Sequence, residues 1–258
     1  MAGPPYPPPP YLSASSMSTY RQCALKFKFN KIDQIPDLPS DATLLGNFVH
    51  ETLENFYVLP PEERTLDQVR RIAGSLWVEG EWEDRVRPYV GPADAIRTFR
   101  WRAWWCIENL WKVENPTLVD PAGIEREVNG PIGHATVKGF IDRYEMDDDG
   151  NIVISDYKTG KTPSGRYVGD KFVQLKIYAA LMKELEIGNP QKLELLFLKD
   201  GVKFSHQLVA DDIRSTVDYV TSTYDAILRS CETGDFPYNK SKLCDWCAYK
   251  KICPAWKR

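Results

Sequence analysis

Four of the six cysteines lie near the two ends of this chain, and that placement constrains its fold more than any other feature. Cys23 stands alone near the start, while Cys244, Cys247 and Cys253 form Cys-x2-Cys-x5-Cys in the segment KLCDWCAYKKICP. Three clustered thiols leave one position open in a four-ligand centre, and Cys23 is the candidate to fill it. A metal centre built from all four would staple the two termini around everything between them. On ligand type alone, tetrahedral zinc and a [4Fe–4S] cluster fit equally. Cys106 and Cys231 stand alone in helix-like stretches and read as core thiols.

The chain has 258 residues, 43% of them hydrophobic, enough for one large core or one domain with a substantial insertion. No run of about twenty apolar residues is present, so no transmembrane helix is expected. The start, MAGPPYPPPPY, has neither the basic nor the apolar region of a signal peptide. A cytoplasmic location is therefore expected, where cysteines seldom form disulfides. The net charge of −3 gives no overall basic excess. Locally, however, Arg21, Lys26, Lys28 and Lys31 flank Cys23, and Lys240, Lys242, Lys250, Lys251, Lys257 and Arg258 face the single acid Asp245. Joined by the cysteines, these two sets would make one positive surface suited to a phosphate backbone. Apart, they are solvated faces.

Residues 1–11 are proline-rich and read as an extended tail. Residues 13–30 read as a short amphipathic helix with serines at its cap, and 43–57 as a strong helix with His50 at the edge of its apolar face. Residues 62–113 read as helical throughout. Trp101, Trp104, Trp105 and Trp111 recur there at helical spacing, a pattern that favours a core or helix–helix seam over base stacking. The period then changes. Residues 123–129, 135–146 and 151–158 read as strands, the last two joined by the turn Asp147-Asp148-Asp149-Gly150. A helix over 170–187, a strand over 192–198 and a helix over 211–232 complete the order. The main body is thus expected over 12–240, with a helical insertion at about 60–115 and a cysteine-bearing segment over 241–258.

The chemistry sits in the strands. Asp156 and Lys158 are two apart and share a face of the third strand. Asp142 lies on the preceding strand, and folding the hairpin at its acidic turn brings the two carboxylates nearly opposite each other, a register that a one-residue slip would destroy. Two hard oxygen ligands on a sheet suit Mg²⁺ or Mn²⁺. Singly, Asp-x-Lys reads as a surface pair, Asp142 and Arg143 as a salt bridge, and His50 as an ordinary helix residue. The joint order is far more specific.

That order is Gly46-x3-His50-Glu51, Gly139-x2-Asp142-Arg143, Asp156-Tyr157-Lys158-Thr159-Gly160 and Gln174-x3-Tyr178. It resembles the motifs of RecB-type nucleases in the PD-(D/E)XK superfamily. The segments SASSMSTYRQC and CDWCAYKKICP resemble the split cysteine set of the iron–sulfur branch, which includes AddB and the RecB-like nucleases of CRISPR adaptation. Ala24 departs from that pattern, since many relatives have proline after the first cysteine. The likeness spans about residues 12–255, with 60–120 the least distinctive. It implies an α/β (α+β), restriction-endonuclease-like core: a mixed central sheet flanked by helices, a helical insertion and an iron–sulfur-stapled terminal region.

By the same resemblance, His50, Asp142, Asp156 and the Tyr157 carbonyl would hold Mg²⁺ or Mn²⁺. Lys158 would serve the attacking water and the phosphate, and Gln174 and Tyr178 would support the site and contact DNA. Cys23, Cys244, Cys247 and Cys253 would hold a [4Fe–4S] cluster, which the one-plus-three spacing also favours over zinc. The implied activity is a DNA exonuclease acting on single strands or ends. The alternatives are a prespacer-trimming nuclease of CRISPR adaptation or a catalytically silent DNA-binding subunit, with an integrase or helicase as partner. The length and the lack of a Walker sequence speak against a helicase–nuclease fusion.

Overall fold

The computed structural model describes residues 5–256, apart from the side chain of Arg166. Among the described residues, nine α-helices and five strands follow in the order α1 (Ala14–Gln22), α2 (Ala24–Phe27), α3 (Asp41–Tyr57), α4 (Leu66–Glu79), α5 (Trp82–Val90), α6 (Ala93–Glu108), α7 (Leu110–Val113), β1 (Pro121–Ile132), β2 (Ala135–Met146), β3 (Asn151–Lys158), α8 (Val173–Glu184), β4 (Asn189–Phe197), β5 (Val202–Gln207) and α9 (Ala210–Thr233). The strands form one mixed sheet in the order β1-β2-β3-β4-β5. The β3–β4 pair is parallel, with α8 as its crossover, and the other pairs are antiparallel.

Two apolar layers cover the sheet. Ile152, Ile154, Leu193 and Leu195 pack with Leu175 and Leu181 of α8 and Val220 and Ile227 of α9. Tyr157 and Leu196 join Phe48 and Leu53 of α3 and Trp82 and Phe99 of the helical region. Burying each such side chain contributes roughly 1.5–3 kcal/mol, so both helical layers are held by the sheet rather than by propensity. Cys106 and Cys231 are buried, as their sequence surroundings predict.

The helical expectations need local correction. Residues 13–30 are not one helix, because Cys23 is extended (φ −164°, ψ 106°) between α1 and α2. Residues 62–113 break four times, first at Arg64 and Thr65 ahead of α4. Glu81 takes a left-handed turn (φ 50°), Gly91 (φ 107°) precedes Pro92, and Asn109 separates α6 from α7. The strand β5 was not expected at all. It is a short edge strand whose residues alternate between half-buried and exposed, leaving little apolar signal.

The proline-rich stretch is irregular, and Tyr6 ties it to the body. Its N–H donates to the Cys231 carbonyl (3.3 Å) and its ring meets Phe236 edge-on. Leu12 then bridges to Val137 of β2. Residues 1–4, Lys257 and Arg258 lie outside the described residues. Among the described residues, no helix is long and apolar enough to cross a membrane.

Candidate active site

Strands β2 and β3 pair from Met146↔Ile152 to Arg143↔Ser155. One further step would set Asp142 opposite Asp156, but the strands part there. The Asp142 carboxylate takes over the vacated donor: its Oδ2 accepts the Tyr157 N–H at 2.9 Å. The expected register therefore holds up to the point where the strands part.

Into that gap comes His50 from α3. Its Nε2–H donates to the Tyr157 carbonyl at 2.9 Å, and its Nδ1 lies 3.3 Å from Asp142 Oδ2. Ser40 caps α3 by accepting the Thr43 N–H, and the buried Val49 and Leu53 pin the helix to the core, fixing the height of His50 over the sheet. Asp156 is buried, and its Oδ2 accepts no well-aligned hydrogen bond, although Lys158 Nζ sits 2.5 Å away. The Lys158 ammonium also reaches Gln174 Oε1 (3.4 Å), and Gln174 Nε2 donates to the Tyr178 hydroxyl (3.1 Å). Gln174 and Tyr178 are four apart on α8, so one helix face carries both. His50 and Asp142 thus meet at the Tyr157 backbone, and Lys158 links the neighbouring Asp156 to Gln174 and through it to Tyr178.

Sequence reasoning missed Glu125. In the β1–β2 register, Ile124↔Arg143 and Arg126↔Ile141 flank it, which sets Glu125 opposite Asp142. Its backbone is left-handed (φ 43°), an uncommon state for a non-glycine inside a strand. His50, Glu125 and Asp142 offer ligand atoms all within 4.8 Å of one another. The Gly133-His134 turn fixes the register of this hairpin, but the left-handed backbone at Glu125 that turns its carboxylate toward the site leaves no mark in the residue spacing.

The electrostatics are those of a site short of positive charge. Burial alone would depress the His50 imidazole, but Asp142, Asp156 and Glu125 push it up to about 9. Burial and the nearby Asp142 raise the Glu125 carboxyl to about 7. Burial and Asp142 likewise raise Asp156, against the pull of Lys158. Burial also disfavours ionised Asp142, yet His50 and the Tyr157 N–H hold it below its ordinary value. Glu125, Asp142 and a His50 ring nitrogen, with Asp156 buried nearby, are groups that could hold a hard divalent cation, which would relieve the repulsion that protons otherwise relieve.

Arg143 does not pair with Asp142. It turns away, donates to both Glu114 oxygens (2.7 and 2.8 Å) and to the Tyr157 hydroxyl (2.9 Å), and lies over the Tyr57 ring. Gly139 has a separate duty. A Cβ there would stand 2.4 Å from Tyr178 Cε1. Gly139→Ala is expected to cost about 1–3 kcal/mol by overpacking and to slow any Lys158-dependent chemistry, because Tyr178 holds Gln174. Thermal melts and rates on the same preparation check this. A variant that melts and reacts like wild type removes Tyr178 from the argument.

The termini meet as the cysteine placement suggests. The Tyr249 hydroxyl donates to the Ile35 carbonyl (2.9 Å) and Leu25 N–H to the Pro237 carbonyl (3.2 Å). Cys23, Cys244, Cys247 and Cys253 line one cleft, together with Lys26, Lys240 and Lys250. The basic sets merge only in part. Arg21 is engaged by Thr223 and Ser222, and Lys28 by Asp33.

Comparison with known proteins places these features in context. Residues 11–254 match the family model described as the PD-(D/E)XK nuclease superfamily. The chain is 26% identical to Gene 69 protein of Mycobacterium phage L5, over 96% of this chain and 97% of that one. It is 24% identical to Gene 69 protein of Mycobacterium phage D29, over 96% and 98%. A crystal structure from Eubacterium rectale named "Putative exonuclease" superposes with a TM-score of 0.57 at 15% identity, covering 95% of this chain and 89% of that one. That last likeness speaks to the fold.

Proposed function

Because the chain belongs to the PD-(D/E)XK nuclease superfamily, we propose that it is a divalent-cation-dependent deoxyribonuclease of the RecB-like iron–sulfur branch, an exonuclease that hydrolyses single-stranded DNA or DNA ends during recombination, repair or DNA processing. The observation that carries this reading is the convergence of His50, Asp142, the Tyr157 carbonyl, Asp156 and Lys158 where β2 and β3 part. A catalytically silent subunit would have no need to keep buried carboxylates crowded together.

His50, Asp142, Asp156 and the Tyr157 carbonyl would hold Mg²⁺ or Mn²⁺, with Glu125 as a further donor. When bound, such a cation supplies Lewis acidity toward the phosphate and a water. Lys158 supplies a cation for the phosphate oxygens and a donor that orients the attacking water. Gln174 fixes its head from the far side, and Tyr178 fixes Gln174. The test is digestion of 5′- and 3′-labelled single- and double-stranded DNA with Mg²⁺ or Mn²⁺. Cleavage that needs the cation and stops with chelator is expected. Cleavage that continues in chelator counts against the reading. An integrase or helicase partner, which the resemblance implies, would be detected by co-purification.

The four cysteines are assigned to a [4Fe–4S] cluster that clasps the C-terminal segment onto α1 and α2. The one-plus-three spacing of Cys23 with Cys244, Cys247 and Cys253 supports this choice over tetrahedral zinc. Ser241 N–H also donates to Cys244 Sγ (3.3 Å), the kind of contact that tunes cluster thiolates. Anaerobically purified protein is expected to be brown, with iron and acid-labile sulfide in equal amounts. A colourless preparation carrying zinc would overturn the assignment.

A further inference from the structure

The expectation that the tryptophans of α6 form a core or seam holds for only part of them. Trp104 packs against the helical core, but Trp101 is 65% exposed and Trp105 39%. The two exposed indoles lie four residues apart on one helix face. Their rings are stacked, with centroids 5.5 Å apart and planes 13° from parallel. Trp105 is fixed by donating its Nε1–H to the Lys199 carbonyl (3.1 Å), and Lys112 Nζ lies over its ring. Trp101 stacks on this anchored ring and presents an open face to solvent. An apolar ring held this far into water is informative when its surroundings share one chemistry.

They do. Trp101 is the ridge between two grooves. One is lined by Arg70, Arg97 and Arg100 with Trp104. The other is lined by Arg102, Lys112 and Lys199, with Asp200 as its acid. Arg97 is paired with Asp94, and Arg102 with Asp41, but these are exposed pairs of the kind that contribute little and exchange readily. Arg70 and Arg100 lie over the rings of Trp104 and Trp77. Arg70, Arg100, Lys112 and Lys199 have no carboxylate partner among the described residues. The second groove ends at Thr159, the residue after Lys158. Its chain neighbours Lys158 and Gly160 line a third cleft, with Lys161, Lys171 and Gln174 and with Asp170 as its acid.

We propose that these grooves, with Trp101 and Trp105 as stacking platform, form a track that guides single-stranded DNA from the helical region to the catalytic lysine. The proposal rests on the nuclease reading and deepens it by naming the substrate form and its path. Basic side chains at intervals suit a phosphate backbone, whereas an indole face suits a base only when that base has left its own stack. In a duplex the base faces are covered, so the platform selects single strands.

The test uses full-length protein in chelator, so that binding is read without turnover. A fluorescein-labelled oligo-dT and a labelled duplex are titrated and followed by anisotropy. Trp101→Ala is expected to weaken binding of the single strand by roughly 5- to 150-fold, the loss typical of one stacked base, and Trp101→Phe to restore most of it. Lys112→Gln and Lys199→Gln are each expected to reduce the salt dependence by about one phosphate contact. Trp101 is exposed, so its variants should fold, and melting temperatures verify this. Single-strand affinity unchanged in Trp101→Ala overturns the track, as does an equal loss on the duplex. Loss of a co-purifying protein with DNA affinity intact also overturns it, and reassigns Trp101 to a protein interface. Any of these outcomes leaves the nuclease reading standing so long as Asp156→Asn abolishes cleavage. An Asp156→Asn variant that cleaves like wild type removes that reading instead.

Discussion

Asp156→Asn lowers phosphodiester cleavage by at least about a thousandfold, a loss on the scale of removing a main charge-stabilising group from an active site. The same substitution leaves the melting temperature in chelator at or above that of wild type. The two halves of this expectation have one cause. Asp156 is buried beside Asp142, with an oxygen that accepts no well-aligned hydrogen bond, and the crowding raises its pKa. An acid whose folded pKa is raised costs stability at pH values above that pKa, so at neutral pH the ionised carboxylate is a burden on the fold. Removing its charge lifts that burden. The protein tolerates a destabilising group where a cation can use it, the trade expected of a functional site. Lys158, only partly buried, can rehydrate when its partner is neutral. An Asp156→Asn protein that melts well below wild type would mean that the residue serves structure, and its rate loss would then carry no catalytic information.

Arg143→Met destabilises the protein by about 3–5 kcal/mol, the cost of leaving a buried charge without its partner. The guanidinium is almost fully buried, its bidentate pair with Glu114 is sealed on both sides, and Tyr57 also donates to the same Glu114 oxygen. Tyr57 and Tyr157 stack nearly parallel beside this pair. The double variant Arg143→Met with Glu114→Gln recovers most of the loss, because no charge is then stranded. Urea denaturation of the four proteins in the cycle measures this coupling directly. A loss below about 1 kcal/mol, within the range of an exposed ion pair, would refute the buried-pair account. The network matters to function because its hydroxyl partners, Ser155 and Tyr157, flank Asp156 on β3.

Much of the site was legible because its parts are local. Asp156 and Lys158 need only a strand, and Asp142 needs only the hairpin closed by the acidic turn, where the register falls as expected. Gln174 and Tyr178 need only a helix. Glu125 was not legible from spacing, because its backbone leaves the strand conformation at that residue. The salt bridge between Asp142 and Arg143, the alternative to a shared motif, does not form, because adjacency along a strand does not bring side chains together. The sequence pattern of the helical region marks where tryptophans recur but not which of them face outward. That depends on how α6 packs against α3 and α5, a tertiary fact that separates the exposed Trp101 from the packed Trp104. The two ends of the chain were legible through one signal, the lone Cys23 facing a cluster of three, and the structure places all four in one cleft.

The central claim is that a divalent cation is held where β2 and β3 part. A crystal of the protein soaked in Mn²⁺ and recorded at the manganese edge tests it most directly. The account predicts an anomalous peak about 2.0–2.3 Å from Asp142 Oδ2 and an Asp156 carboxylate oxygen, within reach of His50 and the Tyr157 carbonyl, and its loss in Asp142→Ala. A fully occupied peak elsewhere, with none between these residues, would contradict it.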